Sequence, residues 1–92
     1  MEYTFYTKID DRNFLFDGKT SLKDFYRVLS VEEADQEDFE KVMGESETIA
    51  GFLLELIESF PEKKQEIPYK HYIFTIEDID KKRIKQLKVT IR

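Results

Sequence analysis

Residues 48–61, TIAGFLLELIESFP, constrain the fold more than any other stretch of this chain. Ile49, Phe52, Leu53, Leu56, Ile57 and Phe60 recur at i, i+3, i+4, i+7, i+8 and i+11, the spacing of one continuous apolar stripe on a helix. Burying side chains of this kind stabilises a fold by ~1.5–3 kcal/mol each before chain entropy is counted. Ala50, Gly51 and Leu54 keep a second flank small and apolar, and the polar side is thin: Glu47, Glu55, Glu58 and Ser59. The helix is therefore expected to be covered on more than one side and to close at Pro61. Ser46 and Thr48 are its candidate N-caps.

Ninety-two residues supply one domain. Hydrophobic residues at 40% and aromatics at 14% provide ample core material and exclude a disordered chain. Twenty acids against 15 bases leave a net charge of −5, which argues against nucleic acid as a partner. Without cysteine, disulfides, thiol catalysis and thiolate metal sites are absent. The longest uncharged run, residues 48–54, falls far short of the ~20 residues of a membrane-spanning helix. The N-terminus has no basic-then-apolar layout of a signal peptide. Opening directly on a strand-like segment fits a domain cut from a longer protein.

Before the long helix, Tyr3, Phe5 and Thr7 alternate with Thr4, Tyr6 and Lys8 as a strand, residues 10–13 turn, and residues 13–17 form a second strand. Gly18 ends it where a positive φ is easiest. Ser21 caps a helix running to about Ser30, with Asp24 in its first turn and Leu22, Phe25, Tyr26 and Leu29 on one face. Residues 31–40 carry six acids in ten positions and read as a loop. Residues 39–43 fit either a strand (Phe39, Lys41, Met43) or a helix (Phe39, Val42, Met43), and a short strand is preferred.

After Pro61, residues 66–69 form a short strand in which Pro68 marks a sheet edge. Lys70 and His71 turn the chain, and Tyr72, Phe74 and Ile76 alternate along the clearest strand of the sequence. At Ile79 the apolar parity shifts, which predicts a bulge near residues 77–80. Residues 80–83 turn again, and the last strand, residues 84–92, points Leu87, Val89 and Ile91 inward. The expected fold is α+β: two helices packed on a mostly antiparallel sheet.

Three segments together resemble a known family. Residues 14–24, FLFDGKTSLKD, residues 48–56 followed by Pro61, and YIFTI at 72–76 with Arg83, Ile84 and Val89 match, in order and spacing, the CorC/HlyC transporter-associated domain. The resemblance divides the chain into residues 1–12, a strand and linker to a preceding domain, and residues 13–92, the domain itself. It implies a non-catalytic regulatory module of a larger membrane protein that carries a transmembrane domain and a CBS pair. Such proteins are linked to magnesium and cobalt efflux, and the module would lie at the cytoplasmic face of the inner membrane. Its partners would be the CBS and transmembrane domains of the same chain, or a second copy as a homodimer. The family fold is grouped with FAD-binding domains of the PCMH type, so an adenine nucleotide or FAD is the alternative ligand reading. The Glu45–Glu47 spacer and the Tyr/Phe-rich start look most like the gliding-motility-associated, hemolysin-like branch. The chain departs from the pattern where Lys64-Gln65 replace Gly-Asp, where Ser59 replaces a glycine, and at Lys70-His71. Fewer glycines leave fewer places for backbone to approach a pyrophosphate.

Candidate sites are few. No metal set or catalytic set stands out, and His71, the single histidine, rules out a histidine pair. The acidic run 32–40 lacks the ligand spacing of a calcium loop and reads as solvated surface. Lys81, Lys82, Arg83, Lys85 and Lys88 cluster on the last hairpin and would meet an acidic face, an anionic nucleotide or a membrane, or simply protect a strand edge. Gly18, Gly51, Phe52, Leu53, Leu56, Phe60 and Phe74 are the structural and interaction residues expected from the helix and the resemblance together. The helix and the sheet surface would carry the contact.

Overall fold

The computed structural model describes residues 6–92. Of the first expected strand, Tyr3 and Phe5 lie outside the described residues. The elements follow in the order β1 (Tyr6–Lys8), β2 (Asn13–Asp17), α1 (Leu22–Leu29), α2 (Glu33–Met43), α3 (Ile49–Ile57), β3 (Glu66–Tyr69), β4 (Tyr72–Asp80) and β5 (Arg83–Ile91). The strands form one sheet in the order β1-β2-β5-β4-β3, antiparallel throughout. Three helices pack on it, so the α+β class holds, with one helix more than the sequence led us to expect.

That helix is α2. Residues 31–40 do not loop and residues 39–43 do not form a strand; 33–43 are one helix. Glu33 and Asp35 fall in its first turn, where negative charge offsets the positive end of the helix dipole. Phe39 then points inward with Val42 and Met43 beside the core. Val42 against the core and Lys41 in solvent decide between the two periodicities, which share Phe39 and Met43; Phe39 itself is wholly enclosed. Its ring lies 4.7 Å from Phe52, 5.1 Å from Tyr69 and 5.5 Å from Phe25. Such aromatic pairs add ~0.5–1.5 kcal/mol each beyond their buried area.

Both caps read from the sequence are present. Ser21 Oγ accepts from the Asp24 amide at 3.1 Å, and Thr48 Oγ1, not Ser46, accepts from the Gly51 amide at 3.1 Å. The cap residues also bridge each other: the Leu22 amide donates to Glu47 O and the Ile49 amide to Thr20 O, both at 2.9 Å. The starts of α1 and α3 are thus tied side by side.

The long helix is shorter than its stripe. It ends at Ile57, where Glu58 adopts a left-handed conformation (φ 57°) and its amide closes on Leu54 O at 3.0 Å. Proline disfavours helical geometry in the residue before it, so Phe60 cannot continue the helix into Pro61. Phe60 stands 41% exposed, off the stripe to which its spacing assigned it.

The hairpins are as expected. Pro68 lies on edge strand β3, Lys70 and His71 form the two-residue turn into β4, and the register shifts on either side of Asp78 mark the bulge. Phe14, Phe16, Tyr72, Phe74, Ile76, Leu87 and Val89 face the helices. Among the described residues no helix covers the opposite face, where Leu15 and Ile73 are half-buried and Thr75 is buried between Lys88 and Glu66.

Candidate functional site

One end of the sheet gathers the two glycines of interest and the basic cluster. β4 and β5 meet there in a turn of Lys81 and Lys82, with Lys81 forced to a φ of 22°. β2 ends beside β5, and the Gly18 amide donates to Lys85 O at 2.9 Å. α3 begins against the same strand end, its Ala50 amide donating to Gly18 O at 3.2 Å.

Gly18 does not adopt the positive φ expected of a strand-ending turn; among the described glycines only Gly44 does, at 60°. What demands glycine here is space. A Cβ on Gly18 would sit 2.0 Å from the carbonyl oxygen of Ile84 and 3.3 Å from Ala50 Cβ. Gly51 is likewise crowded, with Ser46 Cβ and Oγ both 2.6 Å from where its Cβ would stand. What crowds Gly51 is therefore the loop before the helix rather than another strand or helix.

Around these contacts lies a shallow groove of about 230 Å³ floored by Ala50, Leu54 and Ile84 and flanked by Lys19, Lys82 and Arg83. It adjoins a hollow of about 150 Å³ that adds Lys85 and Asp17. Among the described residues none of these four bases takes part in an ion pair, whereas Lys64 pairs with Glu77 and Lys70 with Asp35 and Asp38. Asp17 spends one carboxylate oxygen on the Lys19 amide at 2.8 Å. Asp80 faces Arg83 across the hairpin without lining either hollow.

The backbone donors at the start of α3 are already used. The amides of Ile49, Ala50, Gly51 and Phe52 donate to Thr20 O, Gly18 O, Thr48 Oγ1 and Thr48 O. A phosphate could not be cradled by this helix end, since such sites depend on free N–H groups. No aromatic ring lines the groove to stack on a flavin or adenine.

A second cleft, about 330 Å³, opens between α1 and α2 over Leu22, Tyr26 and Met43, with Lys23, Glu40 and Glu47 at its rim. Burial, reinforced by the Glu40 carboxylate, pushes the Tyr26 phenol up to about 12. Tyr26 is mainly a core ring with its hydroxyl toward this cleft.

The remaining candidates disperse. The acidic run lies on α2, and Asp38 is held below the usual carboxylate range chiefly by its hydrogen bond to Lys70. His71 stands exposed with Nε2 3.9 Å from Asp35. Among the described residues no three His, Cys, Asp or Glu side chains converge as a metal set. Phe52, Leu53 and Phe74 are wholly buried in the core and can touch no partner; Leu56 is half-buried, and Phe60 is exposed beyond the helix. The helical contact surface expected for 49–60 is therefore not presented, because the core takes that stripe. The convergence of Lys19 with the hairpin bases was missed from sequence, since more than 60 residues of chain separate them.

A two-layer α+β domain with a filled core and charged shallow grooves is the class of protein these features define. Residues 7–92 match the CorC_HlyC family, described as a transporter associated domain, and the chain belongs to that family. It is 36% identical over 81 residues to the "Polyamine export protein" of Escherichia coli K12, an alignment covering 88% of this chain and 17% of the relative. The structure of the transporter associated domain of a CBS domain protein from Porphyromonas gingivalis is similar at a TM-score of 0.79 and 28% identity, covering 94% of this chain and 95% of that one. A CorC_HlyC domain from Haemophilus ducreyi gives 0.70 and 30%, with coverages of 94% and 95%. This is a family of transporter-associated domains, not a known catalytic family. No helix among the described residues is long and apolar enough to cross a membrane.

Proposed function

We propose that this chain is a regulatory module of a membrane export protein, docked on other domains of the same polypeptide at the cytoplasmic face of the inner membrane. The observation that carries the reading is one of proportion. A folded unit that matches an exporter over 88% of its own length, yet spans only 17% of that exporter, is one part of a larger machine. Its own architecture supports a contact role, with the helices enclosing one sheet face and the other left for a neighbour. On that face Leu15 of β2 and Ile73 of β4 stand on either side of the central strand β5, whose Lys88 and Thr90 run between them, with Asn13 and the buried Thr75 alongside. Contacts between domains of one chain are commonly of this mixed character. Binding of this face to a CBS or transmembrane domain in only one transport state would shift the balance between states by its differential affinity.

The cargo we assign is an organic polycation, on the strength of the relatives named as polyamine exporters; magnesium and cobalt are the competing cargo. The module itself performs no chemistry in this reading. An adenine nucleotide or FAD as regulator is disfavoured by the occupied helix amides and the ring-free groove.

The test uses the full-length parent. Leu15→Lys with Ile73→Lys should leave the domain folded, since both side chains are only half-buried. It should also abolish cross-linking between this domain and the rest of the chain and change polyamine export several-fold. Unchanged export with cross-links intact would sink the proposal. Export of divalent metal but not polyamine would move the cargo. A thermal shift with FAD or ATP would revive the ligand reading, and self-association by sedimentation would mean that a second copy uses this face.

A further inference from the structure

The basic groove at the β4–β5 end calls for a partner of its own, separate from the docking face. We infer that this end of the domain rests on the anionic phosphate surface of a phospholipid bilayer. Lys19, Lys82, Arg83 and Lys85 converge from two distant segments on adjoining hollows, where Asp17 is the one acid in the lining and Asp80 faces Arg83 across the hairpin, in a chain whose net charge is −5. None of the four is committed to an ion pair among the described residues. Unpaired like charges so close together raise each other's energy, and an anionic surface relieves that cost.

Two features choose among anions. The helix amides that would clasp a discrete phosphate are spent within the fold, so only side chains remain to bind. Those side chains are mostly lysine, joined at the hairpin tip by Lys81. Lysine is a flexible point charge suited to a diffuse field of headgroups, whereas arginine is the residue that forks onto protein carboxylates and dominates protein contacts. Clusters of four to eight such bases are the usual footprint of an anionic leaflet.

Geometry permits the contact. β4 is nine residues long, about 26 Å from first to last at ~3.3 Å per step. Asp35 and Asp38 are held by Lys70 at the turn that begins β4, the opposite end from Lys81 and Lys82. With a screening length of about 8 Å in physiological salt, those acids do not oppose the approach. The groove lies at the strand ends, so it stays open when the uncovered sheet face is occupied.

The test is flotation of this chain with vesicles of equal parts phosphatidylcholine and phosphatidylglycerol, against vesicles of phosphatidylcholine alone, at low and physiological salt. Binding is expected to the anionic vesicles only and to weaken as salt rises. Each base near the surface contributes about fivefold. Lys82→Glu with Arg83→Glu should therefore weaken binding by more than about tenfold, and the milder Lys82→Gln with Arg83→Gln should lower it in the same direction. Lys23→Glu with Lys41→Glu makes the same change of net charge on α1 and α2 and should leave binding within about twofold. Circular dichroism confirms that each variant is folded. Equal binding to both vesicles, no binding to either, or equal losses in the two charge-reversed pairs would each overturn the inference. So would saturable binding of inorganic pyrophosphate or ATP with no vesicle binding, which would make the groove a site for free phosphate.

Discussion

Substituting Gly18 tests the packing on which the basic end depends. In Gly18→Ala the new methyl carbon would lie 2.0 Å from Ile84 O and 3.1 Å from its carbonyl carbon, both main-chain atoms of a central strand that cannot swing aside as a side chain can. Relief requires the 17–19 segment to lift from β5, which strains the Gly18 amide bond to Lys85 O and the Ala50 amide bond to Gly18 O. Overpacking costs about 1–3 kcal/mol and each of the two weakened hydrogen bonds about 1, so a loss of about 3–5 kcal/mol is expected. A domain of this size is stable by about 5–14 kcal/mol in all. Since 1 kcal/mol moves the midpoint of such a domain by ~4–8 °C, the thermal melt should fall by at least about 12 °C. Gly18→Asn separates crowding from backbone conformation: asparagine tolerates a left-handed backbone but carries the same Cβ, so it should be no better than alanine. Melts followed by far-UV circular dichroism and checked by urea titration give both numbers. A fall of less than about 3 °C for alanine, or a clear rescue by asparagine, would refute the steric argument.

Two further outcomes follow from the core and its tyrosines. Phe39→Ala should cost about 3–5 kcal/mol in urea unfolding, because its ring is enclosed by six aromatic neighbours, whereas Phe60→Ser should stay within about 0.5 kcal/mol in the isolated chain; equal effects would return Phe60 to the core. Burial first, and Glu40 second, raise the Tyr26 phenol from 10.0 to about 12, so its neutral form stabilises the fold fully below pH 10 and that contribution is lost as pH climbs through about 12. Tyr26→Phe should accordingly flatten the fall in melting temperature across that window; an unchanged fall would show that the phenol ionises no less readily in the folded chain than in the unfolded one.

How much was legible varies by element, and the reason is the range of the interaction. Caps Ser21 and Thr48, the edge position of Pro68, the Lys70-His71 turn and the bulge beside Asp78 all follow from neighbours within a few residues, and each stands where the spacing placed it. α2 was not legible, because six acids made its surface read as a loop. Only the tertiary packing shows which of its two periodicities is real: Val42 joins Phe39 against the core, under rings from α1, α3, β3 and β4, while Lys41 stays exposed. The same spacing that identified α3 overran it to Phe60, since periodicity counts residues and ignores the backbone restriction ahead of Pro61.

The sequence by itself determined the α+β class, the antiparallel hairpins, the helix that organises the core and the family to which the chain belongs, because side-chain periodicity, turn chemistry and motif order are properties of the chain. Tertiary structure alone decided that Gly18 answers to the Ile84 carbonyl rather than to its own φ, that the α3 amides are occupied, and that Lys19 joins Lys82, Arg83 and Lys85 at one end of the sheet. Those are contacts between segments far apart in the chain, and no local pattern records which of them folding will bring within reach.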